Sequence, residues 1–257
     1  MTNEKPILVE KADGIATITL NRPDRMNAMN VALALDMKQA LLDTLADDSV
    51  RVLVFTGAGG QFCTGADLKD RTPGPNGETL LDTLHECFNI MTGATKPSIA
   101  AVEGNAYGAG FSIVMWCDYV VAAEPAKFCA PFTGIGLIPD VGLALTLPAR
   151  IGMGRARRMM FEGLVVQPEQ ALEWGMIETV AAQGQALAGA YEHARKLMTR
   201  APLALGALRT LLSRQWADPA EFIAEEHKLQ VALRSSDDYK EGVSSFVEKR
   251  PAKFTGK

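Results

Sequence analysis

Apolar and polar positions at the start of the chain follow first a strand pattern and then a helix pattern. An Asp-Gly dipeptide divides the apolar stretch Ile7–Asn21, which predicts a β-hairpin, because Asp-Gly is a preferred two-residue hairpin turn. From Val31 onward apolar side chains recur at four-residue spacing, and Asn30 is placed to cap the resulting helix. The short apolar run Val50–Gly57 then predicts a buried strand.

Strand and helix patterns continue to alternate, and glycine or proline occurs in the connections between them. A polar loop is predicted at Arg71–Glu78, and a helix then leads to a buried strand at Lys96–Gly104. A glycine turn opens a helix within Asn105–Asp118, and a third short strand follows at Tyr119–Glu124. A further helix, Pro168–Ile177, begins at proline. Amphipathic helices fill most of the chain from Gln183 onward. Strands that alternate with helices indicate an α/β protein with largely parallel pairing.

Composition excludes several classes of function. The 257 residues suffice for one large domain, and 26 basic against 30 acidic residues give a net charge of −4, so no basic excess points to nucleic acid or to an anionic membrane. No run approaches the roughly 18 apolar residues of a membrane span, and no signal-peptide pattern is recognised. The four cysteines form no CxxC pair, which favours reduced thiols, a cytoplasmic location and the absence of a metal site.

A unit of strand, glycine turn and helix is predicted twice, around Gly57–Asp70 and around Gly104–Asp118. The first backbone N–H groups of a helix have no partner within the helix, and together with the helix dipole they can bind an anionic oxygen. Two such turns that converge would form a two-donor oxyanion hole. Each turn taken alone is better explained as a tight connection without a ligand.

Six segments, taken together and in order, resemble the crotonase superfamily of enoyl-CoA hydratases and isomerases. They cover nearly the whole chain and are Asn21–Met29, Phe62–Lys69, Lys96–Gly110, Cys117–Phe128, Phe161–Ile177 and Asp237–Phe254. The resemblance implies an α/β fold: a crotonase-like spiral of ββα units over residues 1–200 and a C-terminal helical trimerisation region over residues 201–257. It also implies an acyl-CoA substrate without a separate cofactor, and assembly as a homotrimer or a dimer of trimers.

The same resemblance assigns site residues. The backbone N–H groups of Ala66 and Ala109 correspond to the oxyanion-hole donors that hold the thioester oxygen as an enolate forms. The positions that correspond to coenzyme A contacts are Arg25, Thr64, Gly65, Ala66, Asp67, Leu68, Gly108, Phe246 and Lys249, of which Phe246 and Lys249 correspond to contacts from a neighbouring subunit. For Arg25 and Lys249, a solvated surface charge is the alternative.

Two positions depart from the hydratase pattern. Hydratases of the superfamily use two glutamates to hold and activate water, and the corresponding residues here are Ser112 and Phe132. Neither side chain can replace that acid and base pair, so ordinary hydration chemistry is not expected. Tyr107, Met115 and Trp116 lie near the second glycine turn and are candidates to line the acyl pocket; for Met115 and Trp116, packing in the core is an equally good explanation.

Asp140 is the only acid in the apolar stretch Gly134–Leu145. Several double-bond isomerases of the superfamily, among them those of phenylacetate breakdown, have their single catalytic carboxylate at the corresponding position. One carboxylate can take a proton from C2 of a 3-enoyl thioester and return it to C4. Phe132 and Leu137 are expected to exclude water and to raise the pKa of that carboxyl. The alternative is that Asp140 caps the helix that follows.

The leading hypothesis is an acyl-CoA double-bond isomerase that converts 3-enoyl-CoA to 2-enoyl-CoA, or a ring-epoxide acyl-CoA to an oxepin. Two alternatives stay open: a hydratase with relocated acid and base groups, and a non-catalytic acyl-CoA-binding protein. A dehalogenase with a nucleophilic aspartate is disfavoured, because no supporting histidine and tryptophan are recognised. His85, His193 and His227 are expected to be solvated.

Overall fold

The computed structural model describes residues 5–213 and 219–257 of the chain. Within the last two helices, the side chains of Pro219, Ala220, Phe222, Ala224, Phe246 and Val247 lie outside this description. The strands are β1 (Ile7–Ala12), β2 (Ile15–Leu20), β3 (Val52–Gly57), β4 (Ser98–Val102), β5 (Asn105–Tyr107), β6 (Tyr119–Ala123), β7 (Lys127–Cys129) and β8 (Thr179–Ala181). The α-helices are α1 (Val31–Ala46), α2 (Leu80–Gly93), α3 (Ala109–Trp116), α4 (Leu143–Glu162), α5 (Pro168–Glu173), α6 (Ala186–Met198), α7 (Pro202–Leu212), α8 (Pro219–Arg234) and α9 (Asp237–Glu248).

The main sheet has the strand order β1-β2-β3-β4-β6-β8, in which β1 and β2 are antiparallel and the following pairs are parallel. The predicted hairpin is confirmed, since Asp13 and Gly14 have the positive φ values, 50° and 78°, that a tight two-residue turn needs. The predicted helix cap is also confirmed, because Asn30 Oδ1 accepts a hydrogen bond from Leu33 N at 3.0 Å. Strands β5, β7 and β8 were not predicted, because three residues are too few to establish a pattern.

Both faces of the main sheet are buried in its central strands β2, β3, β4 and β6. Alternate residues of β3 contribute to two separate apolar clusters, Leu53 and Phe55 to one and Val52 and Val54 to the other. Helix α6 covers the second cluster with its alanines, while α1, α3 and α4 contribute to the first. A strand that is buried on both faces appears in sequence as a continuous apolar run, which is why β3 and β4 were recognisable.

A small second sheet positions the two glycine turns. Strands β5 and β7 pair in parallel, and β5 leads directly into Gly108 and α3. The segment after β3 lies alongside, because Cys63 forms a parallel bridge with Ala106 in which Tyr107 N donates to Cys63 O at 2.9 Å. The connections that leave the carboxyl ends of β3 and β4 therefore lie side by side.

The C-terminal helices pack on one another in chain order and are joined to the core through α7. Arg209 Nε donates to Asp118 Oδ2 at 2.9 Å, and Arg209 Nη1 donates to Met91 O at 2.8 Å. The predicted domain boundary between residues 200 and 201 falls just before α7 and stays a prediction. Within the two described ranges, no helix is long and apolar enough to cross a membrane.

Candidate active site

The first glycine turn is held against Met29. Met29 N donates to Gly65 O, and Asp67 N donates to Met29 O, each at 2.8 Å. In such a parallel bridge the residue between the two bonds, Ala66, directs its own N–H away from the paired segment. Gly65 has a φ of 95°, a conformation that side-chain-bearing residues rarely adopt.

The helix predicted after this turn is absent, which corrects the sequence prediction. Residues 61–79, which the structure describes in full, contain no helix. Polar contacts hold the segment instead: Arg22 Nη2 bonds Asp67 Oδ2 at 3.1 Å, and Asn30 Nδ2 donates to Asp70 Oδ2 at 2.7 Å. The N–H of Ala66 therefore belongs to a bridged loop and receives no support from a helix dipole.

The second glycine turn does open a helix. Gly108 adopts φ 54° and ψ −128° between β5 and α3, and its N–H donates to Cys129 O at 3.1 Å. Ala109 is the first residue of α3, so its N–H has no acceptor within the helix. The positive end of the helix dipole adds to the attraction for an anionic oxygen at this point.

The two turns meet through their glycines. A Cβ built on Gly65 would lie 3.1 Å from Tyr107 O and 3.6 Å from Ala109 N, and one on Gly110 would lie 2.5 Å from Cys63 O. Within the described ranges, neither Ala66 N nor Ala109 N donates to a protein acceptor. The structure thus brings together two unsatisfied N–H groups at the positions predicted for an oxyanion hole, and their catalytic role stays a prediction.

Asp140 does not cap a helix, so the capping alternative is wrong. Helix α4 begins at Leu143 with Gly142 as its N-cap residue, and no side chain caps it. Among the described residues, Asp140 Oδ1 is a side-chain oxygen that is shielded from solvent and has no hydrogen-bond partner. An unpartnered buried carboxylate oxygen is costly, so this oxygen does not contribute to stability.

The surroundings of Asp140 shift its acidity. Burial raises the pKa of the Asp140 carboxyl, and a positive charge on His85 opposes that rise. His85 is exposed on α2, one turn before Phe88. The Phe88 ring occupies the space that a Cβ on Gly142 would take, so this face of α2 packs against the Asp140 segment. The expectation that His85 is solvated is confirmed.

The two residues that stand where hydratases have glutamates both lie at the site. Ser112 is fully buried, and its Oγ donates to Asp140 O at 3.1 Å, so it contacts the backbone of Asp140 rather than its carboxylate. Phe132 is buried, with its ring Cζ 4.0 Å from the point where Gly108 would carry a Cβ. The turn is therefore lined by an aromatic ring.

The apolar residues around Asp140 are in part different from those predicted to exclude water from its carboxylate. Leu137 is 53% exposed, so much of its side chain faces solvent instead of forming the dry surroundings expected for it. Val141 and Leu143, which follow Asp140, are buried in the core instead. Met115 and Trp116 are buried in the same core, whereas Tyr107 is half-buried.

The predicted coenzyme A residues divide between exposed and engaged side chains. Thr64 Oγ1 donates to Met26 O at 3.4 Å, and Leu68 is exposed. The carboxylate of Asp67 bonds Arg22 and, at 3.2 Å, Lys69 N, so it is used to shape the loop.

The basic residues predicted to contact coenzyme A are available for a ligand. The side chains of Arg25 and Lys249 are exposed and form no hydrogen bond or ion pair with the rest of the described chain. The side chain of Phe246 lies outside the described residues. Contacts of these residues with coenzyme A stay predictions.

Sequence reasoning missed three residues that shape the site. Arg22 holds Asp67 and also donates to Ala28 O at 2.5 Å. Cys63 lies beneath both turns, and its Sγ accepts a hydrogen bond from Gly65 N at 3.3 Å. Burial raises the pKa of the Cys63 thiol to about 12, so it stays protonated and acts by packing. His85 is the third, and its helix position gave no signal of proximity to Asp140.

The other candidate groups lie elsewhere. The His193 ring lies against Tyr119 with centroids 4.6 Å apart and the ring planes tilted by 47°. It is half-buried and burial lowers its pKa, so the expectation that it is solvated holds only in part, because α6 packs on the sheet. His227 is exposed, as expected. All four cysteines are buried and free of disulfides. In the part of the chain that the structure describes, no three His, Cys, Asp or Glu side chains are grouped so as to hold a metal ion.

Comparisons with known proteins agree on the family. The model of the family described as Enoyl-CoA hydratase/isomerase matches residues 10–257. The chain is 36% identical over 258 residues to a 1,2-epoxyphenylacetyl-CoA isomerase of Escherichia coli, covering 98% of each chain. It is 34% identical over 253 residues to a 2,3-dehydroadipyl-CoA hydratase of the same organism, covering 98% of this chain and 99% of the relative. An enoyl-CoA hydratase structure from Mycobacterium tuberculosis superimposes with a TM-score of 0.90 at 35% identity, covering 99% of this chain and all of the other.

Proposed function

Because this chain belongs to the enoyl-CoA hydratase/isomerase family, we propose that it is an acyl-CoA double-bond isomerase that uses Asp140 as its single proton-transfer group. The substrate is a 3-enoyl-CoA or a ring-epoxide acyl-CoA. The observation that carries the proposal is the buried, unpartnered Oδ1 of Asp140. Such an oxygen suits an acceptor for a substrate proton.

The chemistry balances with one carboxylate. The substrate thioester oxygen accepts hydrogen bonds from the N–H groups of Ala66 and Ala109, and ionised Asp140 takes a proton from C2. The electrons of that C–H bond form a dienolate whose negative charge rests on the thioester oxygen. The dienolate then takes the proton back from Asp140 at C4, and the double bond lies between C2 and C3. Two aligned donors stabilise the charge where it develops.

Burial of Asp140 supports this role. The raised pKa of its carboxyl makes the carboxylate a stronger base than an exposed aspartate, and the carboxylic acid that forms is still acidic enough to protonate the much more basic dienolate. Ser112 and Phe132, which replace the hydratase glutamates, provide no second group to activate water. The relative named as an isomerase acts on an epoxyphenylacetyl-CoA, which supports a ring-derived substrate as one of the two candidates.

A second candidate is hydration with Asp140 and His85 as relocated acid and base. The electrostatic interaction of His85 with Asp140 favours it, as does similarity to the hydratase relative. A non-catalytic acyl-CoA-binding protein is less well supported, because binding alone has no use for an unpartnered buried carboxylate.

Assembly and location complete the proposal. We propose a homotrimer or a dimer of trimers, in which residues 201–257 form the assembly region and Phe246 and Lys249 reach a neighbouring site. Exposed apolar side chains support an assembly, among them Phe161, which is 71% exposed, and Leu212, which is 73% exposed. Four free cysteines support a reducing, cytoplasmic location.

The test compares three reactions of the purified protein: isomerisation of a 3-enoyl-CoA, opening of a ring-epoxide acyl-CoA and hydration of crotonyl-CoA. We expect turnover on the order of 10 s⁻¹ for an isomerisation, and hydration at least about a hundredfold slower. Hydration at a comparable rate would favour the Asp140–His85 hydratase, and it should then be lost in His85→Gln. Tight binding of acyl-CoA with no turnover in any assay would favour the non-catalytic alternative.

A further inference from the structure

We propose that Ser112 and Trp116 are positioning residues, which hold the Asp140–Val141 backbone in a strained conformation and so direct the Asp140 carboxylate into the site. The effect on catalysis rests on the proposed function of Asp140. The positioning itself rests on geometry, and the test below separates the two.

The strain lies at Val141. Its φ is 52°, in the left-handed region, where a β-branched side chain clashes with its own backbone. Such a conformation persists only where the surrounding structure imposes it, and it is concentrated at functional sites. The Val141 side chain is 1% exposed within the core, so the segment cannot relax by turning it outward.

Two side chains of α3 hold consecutive carbonyl groups of this segment. Ser112 Oγ donates to Asp140 O at 3.1 Å, and its other acceptor, Gly108 O, is more distant at 3.4 Å. Trp116 Nε1 donates to Val141 O at 2.9 Å. Ser112 and Trp116 are four residues apart, so both lie on the same face of the helix.

The next residue of the segment is held from the other side. A Cβ on Gly142 would lie 2.4 Å from the Phe88 ring, so the chain passes closely under that ring. The Phe88 ring in turn packs on Trp116, with centroids 6.0 Å apart. Three consecutive residues, Asp140 to Gly142, are thus fixed by α3 and by the aromatic ring from α2.

The arrangement couples both parts of the site to one element. Helix α3 presents the Ala109 N–H at its first residue and holds the Asp140 segment through its fourth and eighth residues. All eight residues of α3 are buried, so the helix cannot shift independently of the core. The distance between the proton acceptor and one oxyanion donor is therefore set within a single rigid helix.

The experiment uses Ser112→Ala and Trp116→Phe, each with a matched control. Ser98→Ala removes an equally buried hydroxyl that bonds Asp118 Oδ2 at 3.0 Å, and Trp174→Phe trims a buried tryptophan that lies under Arg155. Neither control residue bonds the Asp140 segment. Two quantities are measured: the titration of the Asp140 carboxyl, from infrared difference spectra against Asp140→Asn, and kcat and KM for isomerisation.

We expect the Asp140 pKa to fall toward its ordinary value in both site variants, because the released segment lets water reach the carboxylate. The kcat should fall about 10- to 100-fold with KM changed less than about threefold, since misplacing a reacting group acts mainly on the chemical step. The controls should leave titration and KM unchanged even where thermal stability falls. An unchanged Asp140 titration in both site variants would overturn the positioning proposal. A shifted titration in a protein that isomerises no thioester would instead support positioning and refute the proposed function.

Discussion

Replacing Asp140 by asparagine should stabilise the protein at neutral pH. Asparagine is nearly isosteric with aspartate but carries no charge, so it removes the desolvation of a buried carboxylate whose Oδ1 has no partner. Burial raises the pKa of the Asp140 carboxyl in the folded state above its ordinary value. Between the unfolded and the folded pKa, the folded protein binds more protons than the unfolded chain. Wild-type stability therefore falls as the pH rises through that interval, and it stays reduced above it.

The magnitude follows from the degree of burial. An unsatisfied buried polar group costs about 1–3 kcal/mol, and more when it is charged. Oδ1 is cut off from solvent, whereas Asp140 as a whole is only partly buried, which places the cost near the lower end of that range. We expect Asp140→Asn to raise the free energy of unfolding by about 1 kcal/mol at neutral pH, which corresponds to about 2–4 °C in Tm for a chain of this size.

The assay is denaturant unfolding of wild type and Asp140→Asn at several pH values between 4.5 and 7.5 (roughly the interval above the ordinary aspartate pKa). Asp36→Asn serves as the control, because Asp36 is exposed on α1. The difference in free energy of unfolding between Asp140→Asn and wild type should grow with pH. The difference between Asp36→Asn and wild type should not change with pH. A loss of stability in Asp140→Asn at neutral pH would refute the reasoning, because it would mean that the carboxylate is well satisfied.

Three further predictions concern the framework of the site. Gly110→Ala should lower the free energy of unfolding by about 1–3 kcal/mol in denaturant titrations, since its Cβ would lie 2.5 Å from Cys63 O. Asn27→Ala should cost about 2–4 kcal/mol in the same assay, because the fully buried side chain accepts from Arg22 N and donates to two carbonyls. His85→Gln should move the acid limb of the pH–kcat profile to higher pH, because the positive charge of His85 lowers the pKa of the carboxyl that must be ionised; an unmoved limb would exclude that interaction.

Much of the fold was predictable because its determinants are local. The Asp-Gly hairpin, the Asn30 cap and the buried strand β3 each depend on a few adjacent residues. The glycines at positions 65 and 108 also indicated turns correctly. The helix predicted after Gly65 failed because a distant partner, Met29, pairs with that segment as a strand would.

The candidate site was predictable only in part, for the same reason. Asp140 stood out as a lone acid among apolar residues, but the capping and catalytic interpretations could be separated only once α4 was seen to begin at Leu143. The bonds from Ser112 to Asp140 O and from Trp116 to Val141 O join residues 28 and 25 positions apart. No local pattern encodes these bonds or the strain at Val141. His85 likewise approaches Asp140 only through the packing of α2.

The central claim is that the Asp140 carboxylate moves the substrate proton. Its most direct test is kcat for conversion of a 3-enoyl-CoA to a 2-enoyl-CoA by wild type and Asp140→Asn, beside acyl-CoA affinity measured by calorimetry. The account predicts that kcat falls by about 10²–10⁴, the usual contribution of a general base. Affinity should change by less than about threefold, because the Ala66 and Ala109 donors are backbone groups that the substitution leaves in place. An Asp140→Asn protein that keeps most of the wild-type kcat would contradict the claim.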